Sequence, residues 1–157
     1  MRVGSSRDQL LLEMKTARAR VLDAVAGLTE EEITRPEIDG WSVKDHLAHL
    51  AAWDELRYYE ISRVSQGYAP AFLGLTNEQV EAFNEIAHAL RRGFSPAQVL
   101  WELESARSRV LKAIADCPEE RLQDLAAEDV PLRARGAIHH DSEHADYIRE
   151  WRREEGI

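Results

Sequence analysis

The sequence predicts an all-α protein, a four-helix bundle with one extra helix at residues 76–92 between its two halves. Apolar residues recur at intervals of three and four over most of the chain, which is typical of amphipathic helices. No run of alternating apolar and polar residues indicates a strand. Residues 21–33 also match residues 110–122 at six of thirteen positions, as two helix pairs related by a pseudo-repeat would.

The first half of the chain contains two long predicted helices. The first begins at the capping box Ser6-Arg7-Asp8-Gln9 and continues to Gly27. The second is capped by Ser42, with Asp45 three residues further on, and its apolar pattern extends to about residues 66–67.

The second half of the chain shows the same kinds of signal. Thr76 opens the extra helix. Ser95 and Pro96 combine a cap with proline at the first helical position, and the helix that they begin stops before Pro118. The last helix is expected from about Leu132 to Glu154.

The composition is that of a globular protein of 157 residues with a net charge of −9, and we expect one domain over residues 1–157. The negative charge argues against nucleic acid as a partner, because phosphate binding needs a concentrated basic surface. No apolar run is long enough to span a membrane, and the N-terminus lacks the apolar segment of a signal peptide. Cys117 is the only cysteine, so no internal disulfide can form and we expect a cytoplasmic protein.

The last helix carries two histidines on its apolar face. Helical spacing places His140 and His144 on one stripe with Tyr147, Ile148 and Trp151. Imidazoles at positions i and i+4 can bind one metal ion, as they do in zinc-binding helices. Alternatively, both are metal-free residues at the edge of the core, each satisfied by a hydrogen bond. A metal site therefore needs a third ligand from elsewhere in the chain.

The second long helix offers two candidates for that ligand, His46 and His49. Both lie with Trp53 on a flanking stripe of a broad apolar face, so their spacing alone does not distinguish them. His46 lies in the first turn, where a protonated imidazole opposes the helix dipole and the ring could pack against Trp41. His49 lies nearly two turns into the helix, and we favour it as the ligand.

Other polar and aromatic residues allow expectations about the surroundings of such a site. Asp54 and Arg57 lie near the apolar stripe, where they would pair with each other, line a cavity or mark the point at which the helix emerges from the bundle; we favour the last. Candidate partners for the second nitrogen of a metal-bound imidazole are Asp45, Glu60 and Asp141. The aromatic residues expected to wall the cavity are Trp53, Tyr147 and Trp151. The arginines expected nearest to it are Arg57, Arg133 and Arg135, and His88 is expected at the surface.

Two segments resemble the motifs of a known family. Residues 41–54 resemble the second-helix motif of the DinB/YfiT-like superfamily of metalloenzymes, and are closest to its ClbS/DfsB branch of four-helix bundle proteins. Residues 140–151 resemble the last-helix motif of the same superfamily. The resemblance implies an up-down-down-up bundle, a homodimer, and a divalent ion, zinc or nickel, held by His49, His140 and His144.

The function that this resemblance implies is metal-dependent catalysis on a small molecule. Activities in the superfamily include thiol S-transfer, maleylpyruvate isomerisation with mycothiol, and hydrolytic self-resistance to a genotoxin. We therefore expect thiol transfer or hydrolysis in detoxification, with a low-molecular-weight thiol as a second cofactor for the transfer reaction. Three neutral imidazoles leave a divalent ion with an open position for water or a thiol, whose pKa the ion lowers. The alternative is a non-catalytic small-molecule-binding or stress-response protein without a functional metal.

Overall fold

The computed structural model describes residues 6–71, 74–126 and 133–157, and within them it contains helices and no β-strand. The all-α prediction is therefore confirmed. The helices are α1 Ser6–Val25, α2 Glu30–Thr34, α3 Val43–Ser65, α4 Asn77–Arg91, α5 Pro96–Asp116, α6 Leu122–Leu125 and α7 Ala134–Glu155, with a 3₁₀ turn at Glu119–Arg121 before α6.

The predicted caps define where three of these helices begin. Ser42 and Thr76 each accept a hydrogen bond from the backbone N–H three residues later, and the side chain of that later residue caps in return. Ser95 caps α5 in the same way, with Pro96 as its first residue. Each cap satisfies backbone donors that have no partner within the helix. The predicted start of the last helix at Leu132 lies outside the described residues.

Two apolar clusters, one at each end of the bundle, establish the directions of the long helices. The first contains the C-terminal halves of α1 and α7 and the N-terminal halves of α3 and α5, including Val21, Ile148, Leu47 and Leu103. The second contains the opposite halves of the same four helices, including Met14, Ala137, Ile61 and Ile114. Hence α1 and α7 run in one direction and α3 and α5 in the other, which confirms the up-down-down-up arrangement. The extra helix α4 packs against α3.

A layer of buried charge separates the two apolar clusters. Asp54 accepts hydrogen bonds from Arg18 at 2.9 Å, Arg57 at 3.1 Å and Arg107 at 2.9 Å. Asp141 is held by Arg18 at 3.1 Å and by Arg107 at 2.9 Å. Burial alone would raise the pKa of Asp54, but the guanidinium groups of Arg107, Arg18 and Arg57 outweigh it and hold that pKa well below its usual range.

This layer corrects the interpretation of Asp54 and Arg57. Their exposed fractions are 0% and 3%, so the helix does not emerge from the bundle at this point. The two residues do pair with each other, as one of the alternatives proposed. Their other partners come from α1, α5 and α7, which explains how two charged residues occupy an apolar stripe.

Two further expectations can be compared with the fold. Cys117 is buried with a free thiol, as expected for the only cysteine of the sequence. In the described residues, no helix is both long enough and apolar enough to cross a bilayer.

Candidate metal centre

Three histidines from two adjacent helices converge near the middle of the bundle. His49 projects from α3, and His140 and His144 project from consecutive turns of α7. One ring nitrogen from each lies within 4.8 Å of the others. His49 Nε2 and His140 Nε2 are 2.8 Å apart. These are the three residues that the family resemblance singled out.

His46 lies beside this cluster but makes a different contact. Its Nδ1 is 2.7 Å from Nδ1 of His144, so the two rings share one proton in a hydrogen bond. This leaves Nε2 of His144 as the nitrogen available to the cluster. A hydrogen bond on the second nitrogen is the support that metal-bound imidazoles normally have. The structure thus separates two histidines whose spacing alone did not distinguish them.

The three carboxylates expected in that supporting role are engaged elsewhere. Asp45 accepts from the backbone N–H of Ser42 at 2.9 Å and lies 3.2 Å from His88. Glu60 accepts from the backbone N–H of Ala71 at 3.1 Å. Asp141 belongs to the buried charge layer. The second nitrogen of His144 has its hydrogen bond with His46 instead.

Arg57 connects the buried charge layer to the cluster. Its Nη1 donates to Asp54, and its Nη2 is 3.2 Å from Nδ1 of His140. A guanidinium group is only a donor, so Nδ1 of His140 accepts and the ring proton lies on Nε2, facing His49. Burial, and then the charge of Arg57, lowers the pKa of His140 far below its usual value.

All four imidazoles are neutral at physiological pH. Burial, followed by the nearby His144, lowers the pKa of His46 to about 4 and that of His49 to about 3. Burial also lowers the pKa of His144 to about 4, although Asp141 opposes the shift. A neutral imidazole has a lone pair to offer, which is the form that binds a metal ion.

A cavity of about 500 Å³ opens onto the three histidines. Trp53 lines it as predicted, and its indole N–H donates to Asn84 of α4 at 2.8 Å. Arg57 lines it as well. The other two expected arginines do not: Arg133 donates to the backbone oxygen of Asp124, and Arg135 pairs with Glu13.

Two further expectations about the surroundings need correction. Tyr147 and Trp151 line a separate cavity together with His46. His88 is half-buried rather than fully at the surface, because its ring stacks on Trp41 with centroids 5.8 Å apart. Trp41 also contacts His46, as predicted, with centroids 5.3 Å apart.

The sequence profile of the DinB superfamily matches residues 13–148. The chain belongs to the DinB superfamily. The match covers α3 and most of α7, so both histidine-bearing helices fall within it. The resemblance recognised in residues 41–54 and 140–151 is thereby confirmed.

Several solved structures share the fold of this DinB superfamily protein. An uncharacterised protein from Escherichia coli UTI89 is 17% identical, with a TM-score of 0.79 over 99% of this chain and 97% of its own. The colibactin self-resistance protein ClbS, solved in complex with double-stranded DNA, is 13% identical, with a TM-score of 0.73 over 95% of this chain and 96% of its own. The sibling lethal factor precursor DfsB is 16% identical, with a TM-score of 0.73 over 96% of this chain and 97% of its own.

These similarities establish the fold of this DinB superfamily protein. Its chemistry has to be inferred from its own residues. No curated protein matches the sequence. The DNA in the ClbS complex stands in tension with the expectation that this chain does not bind nucleic acid, which rests on the net charge of −9.

Proposed function

We propose that this protein binds one divalent metal ion, zinc or nickel, through His49, His140 and His144, and uses it to act on a small molecule by thiol transfer or hydrolysis. The observation that carries the proposal is the convergence of three neutral imidazoles, with one nitrogen each within 4.8 Å of the others, at the wall of a cavity of about 500 Å³. Three protein ligands leave a coordination position open, whereas a structural zinc site uses four.

The surroundings of His144 and His49 favour metal binding by these two residues, whereas the surroundings of His140 oppose it. His144 has its Nδ1 occupied by His46, which favours a free Nε2 lone pair. His49 Nε2 accepts a hydrogen bond from the Nε2–H of His140, so this atom of His49 carries a lone pair that could face an ion. His140 could bind a metal ion through Nε2 only if its ring proton moved from Nε2 to Nδ1. Arg57 disfavours that tautomer, because its guanidinium group can only donate and therefore needs a lone pair on Nδ1.

When bound, the ion would lower the pKa of a bound water or thiol toward neutrality and so supply a nucleophile. The chain's own residues supply binding and shape. Arg57 presents a positive charge to the cavity, which suits a thiolate or another anion. Trp53, fixed by Asn84 and packed against Phe83, forms one wall of the cavity.

Cobalt substitution tests the open position. We expect the visible spectrum of the cobalt-loaded protein to change when a small thiol is added at millimolar concentration, because the thiolate joins the ion. His140→Ala should lose the cobalt spectrum, whereas His139→Ala, an exposed histidine that lines the same cavity but lies outside the cluster, should retain the spectrum. A cobalt spectrum that thiol and chelating anions leave unchanged would show a closed site and contradict the proposed catalysis.

A second candidate function is a non-catalytic small-molecule-binding or stress-response protein. One observation favours it: the four histidines already form two hydrogen-bonded pairs, at 2.7 Å and 2.8 Å, without needing an ion. In that case the cluster is a satisfied polar element of the core. Tag-free protein purified without any stoichiometric metal, and unable to bind added zinc or nickel, would favour this function.

DNA binding is a separate proposal that the ClbS complex raises. The net charge of −9 leads us to expect no binding by this chain at physiological salt. Fluorescence anisotropy with a labelled duplex would measure it. Saturable binding that weakens steeply with salt would overturn our expectation and extend the partners of this chain to nucleic acid.

A further inference from the structure

A second cavity of about 500 Å³ is lined by His46, beside the candidate metal centre. Its walls come from the segment before α3 and from the C-terminal half of α7. Three aromatic rings line it, those of Trp41, Tyr147 and Trp151. Trp41 and Tyr147 both contact the His46 ring, with centroid separations of 5.3 Å and 6.2 Å. The face of an aromatic ring attracts a cation through the quadrupole of the ring.

The charged groups that line the cavity are all acidic. They are Glu37, Asp39, Glu150 and Glu154, and its described lining contains no lysine or arginine. Glu37 pairs with Arg35, and Glu150 pairs with Arg153, in contacts at the exposed surface where solvent screens them. In the part of the chain that the structure describes, no ion pair involves Asp39 or Glu154. The cavity therefore has a negative potential suited to a cation.

His46 adds an independent observation that points to a ligand. Its exposed fraction is 6%, and its Nε2 is buried without a hydrogen-bond partner among the described residues. Nδ1 is already paired with His144, so Nε2 is the remaining polar atom that this ring offers. A buried polar atom left unpaired is costly, which makes a bound partner favourable.

The surroundings determine which partner His46 requires. The acidic groups of the cavity favour the tautomer whose proton is on Nε2, since that N–H points its positive end toward them. His46 Nδ1 then accepts from His144, which is also the arrangement that metal binding through Nε2 of His144 would need. His46 is thus a donor, and the missing partner is an uncharged acceptor such as a carbonyl oxygen.

We propose that this cavity binds a small alkylammonium cation that also carries a carbonyl oxygen, with the cation among Trp41, Tyr147 and Trp151 and the carbonyl on Nε2 of His46. This ligand site is distinct from the candidate metal centre and does not depend on a bound ion. It contacts that centre through the hydrogen bond from His144 to His46 and through the rings of Trp41 and Tyr147, whose centroids lie 5.2 Å from His49 and 5.6 Å from His144.

Isothermal titration calorimetry of the full-length, metal-free protein with three matched probes tests the proposal. Acetylcholine has the cation and the carbonyl, pentyltrimethylammonium has the cation on a chain of the same length without the carbonyl, and 3,3-dimethylbutyl acetate has the shape without the charge. We expect acetylcholine to bind about fivefold more tightly than pentyltrimethylammonium, because one hydrogen bond contributes about that much. The uncharged ester should not bind measurably. The His46→Phe variant, which keeps an aromatic ring but removes its nitrogens, should bind the two cations with equal affinity.

Charge variants distinguish the effect of the carboxylates in this cavity from the effect of the overall negative charge of the protein. Asp39→Asn with Glu154→Gln should weaken cation binding about fivefold. Asparagine tolerates the left-handed backbone at position 39, where φ is 51°. The control Asp146→Asn with Glu155→Gln removes the same charge from α7 outside the cavity and should leave the affinity unchanged.

Three results would overturn the proposal. One is no saturable binding of either cation at millimolar concentration, and another is equal binding of the uncharged ester. The third is equal affinity of the two cations for the wild-type protein, which would remove the role of His46. Because every titration uses metal-free protein, these results are independent of whether the proposed metal site exists.

Discussion

Asp54→Asn tests whether the buried charge layer holds the four long helices together. The Asp54 carboxylate is fully buried and accepts hydrogen bonds of 2.9 to 3.3 Å from Arg18, Arg57 and Arg107. Asparagine removes the negative charge, and its NH₂ group would face guanidinium donors. Breaking a buried ion pair by removing one partner typically costs about 3–5 kcal/mol. That is a large part of the stability of a domain of this size, about 5–15 kcal/mol.

Urea unfolding followed by helical circular dichroism would measure this loss. The matched control is Asp146→Asn, because Asp146 pairs with Arg20 at 3.5 Å with 66% of its side chain exposed. Such a surface pair contributes about 0–1 kcal/mol. If Asp54→Asn lowers the free energy of unfolding by no more than the control does, Asp54 does not stabilise the fold and our account of the layer is wrong.

Three further predictions concern the histidines and the assembly. The pKa values of His46 and His144 are about 4 in the folded protein, below the unfolded value near 6.5, so metal-free protein should be most stable above pH 6.5 and lose stability as the pH falls toward 4. The slope is up to about 1.4 kcal/mol per pH unit for each histidine, and a urea midpoint that does not change between pH 7 and pH 5 would contradict it. His46→Phe should weaken zinc binding about 10–100-fold without removing it, measured by competition with a chromophoric chelator; an unchanged affinity would show that His46 gives His144 no support. The family resemblance leads us to expect a homodimer, which sedimentation at micromolar concentration would show, whereas a monomer would refute this expectation.

Much of the fold could be predicted because its signals are local. Helix starts at Ser42, Thr76 and Ser95 follow from side chains that cap backbone groups within three residues. The four-residue helix α6 could not be predicted, because one turn is too short to show a periodic pattern.

The candidate site shows where local signals stop. Spacing places His140 and His144 on one face of α7, but it also places both His46 and His49 on the broad face of α3. Only the packing of α3 against α7 assigns His49 to the cluster and His46 to Nδ1 of His144. The roles of Asp54 and Arg57 depend in the same way on partners far away in the sequence.

Zinc titration of tag-free protein tests the central claim most directly. We predict one zinc ion per chain, bound at His49, His140 and His144, with binding lost in each single alanine variant of these three residues. The variants should remain helical, because the apolar clusters at both ends of the bundle do not depend on the ion. His139→Ala should bind zinc as the wild-type protein does. Wild-type protein that binds no zinc, or a His140→Ala variant that binds it with unchanged affinity, would contradict the account.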